Sequence, residues 1–161
     1  MEEQKRPVKT LSKQQARQRI ESYCAYQERS QKEVRSKLYD MGLYSDDVEE
    51  LISDLIQSNF LNEERFALAY AGGKFRMKGW GRKKIKAGLK LKGVPDRLLN
   101  KALYSIDDDD YLRTLTELLQ RKSAQLTERE SQKRTNKLVQ HALARGFEMD
   151  LILEALKGNE L

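Results

Sequence analysis

The chain has 161 residues, of which 39% are hydrophobic, 35% charged and only 7% aromatic. A polar, thin-cored, helix-rich protein fits these figures, and a large enzyme built around a deep pocket is excluded. The net charge of +6 points to an anionic partner, the lone Cys24 excludes an intrachain disulfide, and no stretch approaches the roughly 20 apolar residues that span a bilayer.

Residues 1–13 are polar, carry Pro7 and read as a disordered N-terminal arm. No apolar run follows the N-terminus, so no signal peptide is expected and the cytoplasm is the default location. From there the spacing predicts helix after helix. A helix over about 14–28 places Ala16, Ile20, Tyr23 and Cys24 on one face. Ser30 and Glu33 form a capping-box pattern for the next, which buries Val34, Leu38 and Met41 and ends at Gly42. Ser45 is expected to cap a third helix with acids in its first turns and Val48, Leu51, Ile52 and Leu55 inward.

The pattern then recurs. Asn62 is read as the cap of a helix holding Phe66, Ala67, Ala69 and Tyr70 inside. A second runs from about Gly81 to Lys92 and stops at Gly93, and Pro95 is expected at the first position of a third through Leu98, Leu99, Ala102 and Leu103. The next copy has Asp107–Asp110 before a helix through Tyr111, Leu115, Leu118 and Leu119. Another helix spans about Thr127 to Arg145, and a last one about 148–157.

The copies superimpose on their helix-ending glycines. Val34, Leu38, Gly42 and Leu43 match Ile85, Leu89, Gly93 and Val94, and both sets match Leu138, Ala142, Gly146 and Phe147. The predicted fold is therefore all-α: a tandem array of three three-helix repeats, over 14–58, 59–106 and 107–161. Such units bury little alone and lean on their neighbours, so an elongated, curved molecule is expected.

Positive charge gathers in the second repeat, where residues 59–106 hold 12 Lys and Arg against 3 Asp and Glu. Lys74 to Lys92 contains nine basic residues and no acid. On a helical wheel Arg82, Lys83, Lys86 and Lys90 form a ridge beside the apolar seam of Ile85 and Leu89. Such a ridge neutralises phosphates or meets an acidic protein surface; its bland alternative is a solvated basic face. Trp80, between Gly79 and Gly81, reads first as a packing anchor between helices and second as a surface on which a base or an arginine stacks.

Other candidates carry less. His141 has no second histidine or cysteine to complete a metal site. Cys24 reads as a small core residue, and Asp107–Asp110 as a helix cap rather than a cation loop. Gly72-Gly73 lacks the lysine of a phosphate loop. No catalytic residue, cofactor or metal is expected.

Asn59-Phe-Leu-Asn-Glu-Glu-Arg-Phe-Ala67, Lys78-Gly-Trp-Gly-Arg-Lys-Lys-Ile-Lys86 and Leu91-Lys-Gly-Val94 resemble the central repeat of the RecX family. Arg29-Ser-Gln-Lys-Glu-Val-Arg-Ser-Lys-Leu38 and Lys137-Leu-Val-Gln-His-Ala-Leu-Ala-Arg-Gly-Phe147 resemble its first and last segments, so the likeness covers about residues 15–157. The resemblance implies a non-enzymatic regulator, active as a monomer, that binds the RecA recombinase and its nucleoprotein filaments. It further implies inhibition of recombinase and ATPase activity, modulating homologous recombination, DNA repair and the SOS response. Single-stranded DNA, and as a wider option double-stranded DNA, would share the interface with RecA. The residues expected to touch RecA or DNA are Lys74, Arg76, Lys78, Trp80, Arg82, Lys83, Lys86 and Lys90. Two features depart from the family: Arg82 stands where proline is common after the Gly-Trp-Gly turn, and His141 and Ala142 weaken the third repeat's match.

Two rivals remain open at this level. One is a sequence-independent helical DNA-binding module acting without RecA, from which the threefold repeat argues away because one recognition helix would suffice. The other is a protein-interaction solenoid with no nucleic-acid partner, which salt dependence of binding distinguishes.

Overall fold

The helix signals are realised as nine α-helices, with no strand, among residues 10–159 and 161, which this computed structural model describes. They are α1 (Lys13–Tyr26), α2 (Gln31–Asp40), α3 (Ser45–Gln57), α4 (Glu63–Lys78), α5 (Arg82–Leu91), α6 (Asp96–Tyr104), α7 (Asp108–Gln125), α8 (Ser131–Ala144) and α9 (Met149–Gly158). In chain order they form three three-helix repeats in tandem.

The capping chemistry explains most of the boundaries. Ser12 and Gln15 make a full capping box at α1, in which the Gln15 N–H donates to Ser12 Oγ and the Ser12 N–H to Gln15 Oε1. At α2 the Glu33 N–H donates to Ser30 Oγ, but the Glu33 carboxylate accepts from the Ser30 hydroxyl, so that box closes differently from the expected form. Asn62 Oδ1 accepts from the Arg65 N–H, and Asp107 caps α7 through the Asp110 N–H. Gly42, Gly93 and Gly146 have φ of 88°, 75° and 94°, as a left-handed helix stop requires.

Several expectations need correction. Residues 1–9 of the expected arm lie outside the described residues, but residues 10–13 belong to the fold. Leu11 is buried and its N–H donates to the Met41 carbonyl at 3.1 Å. Ser45 is the first residue of α3 and Tyr44 its cap; Pro95 is the cap of α6, not its first residue. Ala69 is exposed and Tyr70 only half-buried, because the inner face of α4 is Ala67, Ala71 and Phe75. α8 begins at Ser131, not near Thr127. The Arg134 guanidinium donates to the carbonyls of Ser123, Leu126 and Glu128 and holds that stretch outside the helix.

Two compact units divide the chain: one runs to Phe66 and takes in Lys92–Val94, the other comprises Ala67–Leu91 and Pro95–Leu161. In the first, α1, α2 and α3 enclose Ala16, Ile20, Val34, Leu38, Leu51 and Leu55, each at most 1% exposed. Truncating one of these, such as Leu38→Ala, removes about 2–5 kcal/mol. In the second, the rings of Phe75, Tyr111 and Phe147 stack in series, with centroids 5.9 and 5.1 Å apart. Tyr111 is fully buried, and its hydroxyl is paired on both sides: it accepts from the Arg82 N–H at 2.9 Å and donates to the Glu148 carboxylate. Burial and the neighbouring carboxylate hold the Tyr111 phenol well above its ordinary pKa, so it stays protonated.

Candidate functional site

α5 separates its two faces cleanly. Ile85 and Leu89 turn inward and are fully buried, whereas Lys83, Lys86 and Lys90, at i, i+3 and i+7, are exposed on the outer side. None of the three lysines has a carboxylate within ion-pair distance among the described residues. Three neighbouring cations without internal partners keep their full charge available to an external anion.

Arg82 behaves differently from the rest of the ridge. Its guanidinium lies 4.0 Å over the Tyr111 ring, donates to the carbonyls of Leu103 (3.3 Å) and Ile106 (2.9 Å), and pairs with Asp108 at 2.8 Å. The Leu103 carbonyl, in the last turn of α6, also accepts from the Ile106 N–H at 3.4 Å, and Ile106 follows that helix. The side chain is 21% exposed. Arg82 thus ties α5 to the end of its own repeat and to the start of the next, which is the use this chain makes of an arginine in place of proline.

Trp80 is half-exposed and outside the core. The Lys74 and Lys84 ammonium groups lie 4.9 and 4.6 Å from its ring, one from each flanking helix. The backbone N–H of Trp80 donates to the Lys74 carbonyl at 3.2 Å. The indole therefore collects cations at the turn between α4 and α5.

Arg76 and Lys78, at the exposed end of α4, open onto a cleft of about 520 Å³ that also receives Arg113 and Arg121 from α7 and Arg145 from the end of α8. Arg113 is paired with Asp110 at 2.8 Å, and Arg145 donates to the Lys78 carbonyl at 3.4 Å. Sequence reasoning missed these three arginines. They come from a segment rich in acids, and no local spacing signals that α7 and α8 bring them beside Arg76 and Lys78.

The arrangement suits binding, through phosphates or carboxylates. Among the described residues no group of three or more His, Cys, Asp or Glu could hold a metal, and no helix is long and apolar enough to cross a membrane. His141 is half-buried, and burial together with Lys122 and Arg145 depresses its pKa, favouring the neutral ring.

Family models for the first, second and third three-helix domains of RecX match residues 16–55, 62–103 and 108–156. The regulatory protein RecX of Chlorobaculum tepidum is 31% identical over 125 residues, covering 78% of this chain and 76% of that protein. The chain belongs to the RecX family. The regulatory protein RecX of Clostridium perfringens is 34% identical over 137 residues, 82% of this chain, and the matched region spans 64% of that relative's length. The crystal structure of RecX from Lactobacillus salivarius is similar with a TM-score of 0.83 at 25% identity, covering 91% of this chain and 95% of that one. The buried pattern of α2, α5 and α8 is thus the RecX domain pattern, and the exposed lysines of α5 lie on its second domain.

Proposed function

We propose that this chain regulates RecA, binding the recombinase and its nucleoprotein filaments and inhibiting recombinase and ATPase activity, and so modulating homologous recombination and DNA repair. The observation that carries this reading is the set of three RecX domains in order, of which the second exposes Lys83, Lys86 and Lys90 without carboxylate partners. In this reading those lysines, with Lys74, Arg76 and Lys78, meet DNA phosphates or acidic RecA surface. Trp80 and Arg82 hold the turn and the helix that aim them. The chain acts by binding as a monomer in the cytoplasm and performs no chemistry on its target.

The test is ATP hydrolysis by the same organism's RecA on single-stranded DNA, titrated with this protein. A fall in hydrolysis supports the reading; at substoichiometric ratios it favours blocking of filament ends, and near one copy per several RecA subunits it favours coating of the groove. Unchanged hydrolysis with folded protein overturns it and leaves the sequence-independent DNA-binding module. The triple variant Lys83→Glu, Lys86→Glu, Lys90→Glu should lose at least about tenfold in inhibitory potency, steeply dependent on salt.

A further inference from the structure

In the first unit α1 and α2 leave an open groove of about 640 Å³, within the roughly 300–1,000 Å³ usual for small-ligand sites. Arg19, Tyr23 and Tyr26 line it from one face of α1 at i, i+4 and i+7, and Lys37 and Asp40 line it from α2, with Arg29 from the loop between them.

The cations here stand out against their surroundings. Other cations of this unit are in ion pairs: Arg17 with Asp54, Arg35 with Glu49, Lys13 with Asp47 and Glu50, Arg65 with Glu28, Lys92 with Glu33. Arg19, Arg29 and Lys37 have no carboxylate within ion-pair distance among the described residues, and all three line the groove. Residues 16–58 hold 9 Asp and Glu against 6 Lys and Arg, so this basic groove runs against the charge of its own segment. Flat surfaces accompany the charge. The Arg29 guanidinium lies 3.7 Å over the Tyr23 ring and is fixed by its bond to the Tyr23 carbonyl, with Lys37 Nζ 5.4 Å from that ring. The Tyr26 ring is 83% exposed.

The second repeat shows what the same place looks like when the chain fills it. With Gly42 set on Gly93, Arg19 corresponds to Tyr70 and Lys37 to Gly88. There a Cβ on Gly88 would lie 2.0 Å from the Tyr70 hydroxyl, so the tyrosine reaches the backbone of α5 and occupies the space between the helices. In the first repeat both positions carry long cations instead, and the space stays open.

We infer that the α1–α2 groove of the first repeat binds the phosphate-and-base unit of a nucleotide. The base stacks on Tyr26 and the Arg29–Tyr23 pair, and Arg19 and Lys37 hold the phosphate. Asp40 and the Ser22 hydroxyl offer acceptors to the polar edge of a base. A free nucleotide and a nucleotide within a single strand share this chemistry. The site lies outside the lysines of α5 and does not rest on the RecA reading.

The experiment is photo-crosslinking of the full chain, without RecA, to two probes: iododeoxyuridine monophosphate, and a short oligothymidylate carrying one iodouracil. Adducts are mapped by peptide mass spectrometry. An adduct on Tyr26 or Tyr23 is expected, with both probes if the site takes free nucleotides and with the strand alone if it takes single-stranded nucleic acid. The double variant Arg19→Glu, Lys37→Glu should lower its yield at least about tenfold, and Lys157→Glu, at an exposed position in the last turn of α9, should leave it unchanged. A matching circular-dichroism melt of the double variant separates lost binding from lost folding, and Arg19→Gln, Lys37→Gln serves in its place if the first does not fold. No adduct within residues 19–41 from either probe, or a yield indifferent to Arg19 and Lys37, overturns the inference.

Discussion

Gly81 lies backbone to backbone against Gly146: its N–H donates to the Arg145 carbonyl at 2.8 Å, and a Cβ built on it would stand 2.4 Å from the Gly146 carbonyl carbon. The Lys83 N–H donates to the Gly146 carbonyl at 3.0 Å, so the start of α5 supplies donors to the carbonyls left over at the end of α8. The glycine that stops a helix in the third repeat thereby docks the second.

Gly81→Ala should cost about 3 kcal/mol, the upper end of the overpacking range, because the obstacle is backbone and cannot turn aside. Gly79 supplies the comparison. It has φ 65° but open space around it, so Gly79→Ala should cost only about 1 kcal/mol of conformational strain. Urea unfolding of both variants checks the order; equal losses would mean that the close approach contributes nothing.

Arg82 and Lys86 should separate cleanly in stability, although both belong to the same basic run. Arg82→Lys keeps the charge but loses the fork that serves Leu103, Ile106 and Asp108 together, and should cost about 2 kcal/mol. Lys86→Glu should stay within about 0.5 kcal/mol of the parent. Thermal melts at matched salt decide; a neutral Arg82→Lys would show that the guanidinium network is dispensable.

Glu63 should make the first unit more stable in acid than its neighbours suggest. Its carboxyl is half-buried, Oε1 has no hydrogen-bond partner, and burial raises its pKa against the opposing bond from the Gln31 N–H. Since the folded pKa exceeds the unfolded one, the stabilising contribution is complete below the unfolded pKa and is lost as pH rises through the folded pKa. Glu63→Gln should therefore raise the melting temperature at neutral pH, and the gain should vanish below about pH 4. A gain that persists in acid would locate its cause elsewhere.

Cys24 should report the opening of the first unit. It is 7% exposed, and burial pushes its thiol up to about 11. In native buffer near pH 8 its labelling by a thiol reagent should run at least about a hundredfold slower than in the unfolded chain. The rate should rise along the urea unfolding curve; rapid native labelling would contradict the buried placement.

The order of the helices, their apolar faces and their glycine stops were legible in the sequence, because each depends on residues three to five apart. Ile85 and Leu89 must turn to the same side of one helix, and a backbone that stops a helix in the left-handed region favours glycine at 42, 93 and 146. The exposed stripe of Lys83, Lys86 and Lys90 follows from the same periodicity. Tertiary structure alone decided what distant side chains do to one another. It turned Arg82 inward onto Tyr111, gathered Arg113, Arg121 and Arg145 beside Arg76, and filled with Tyr70 the space that stays open beside Arg19 and Lys37. Those outcomes depend on which helix faces meet across tens of residues, and a helical period carries no record of its partner.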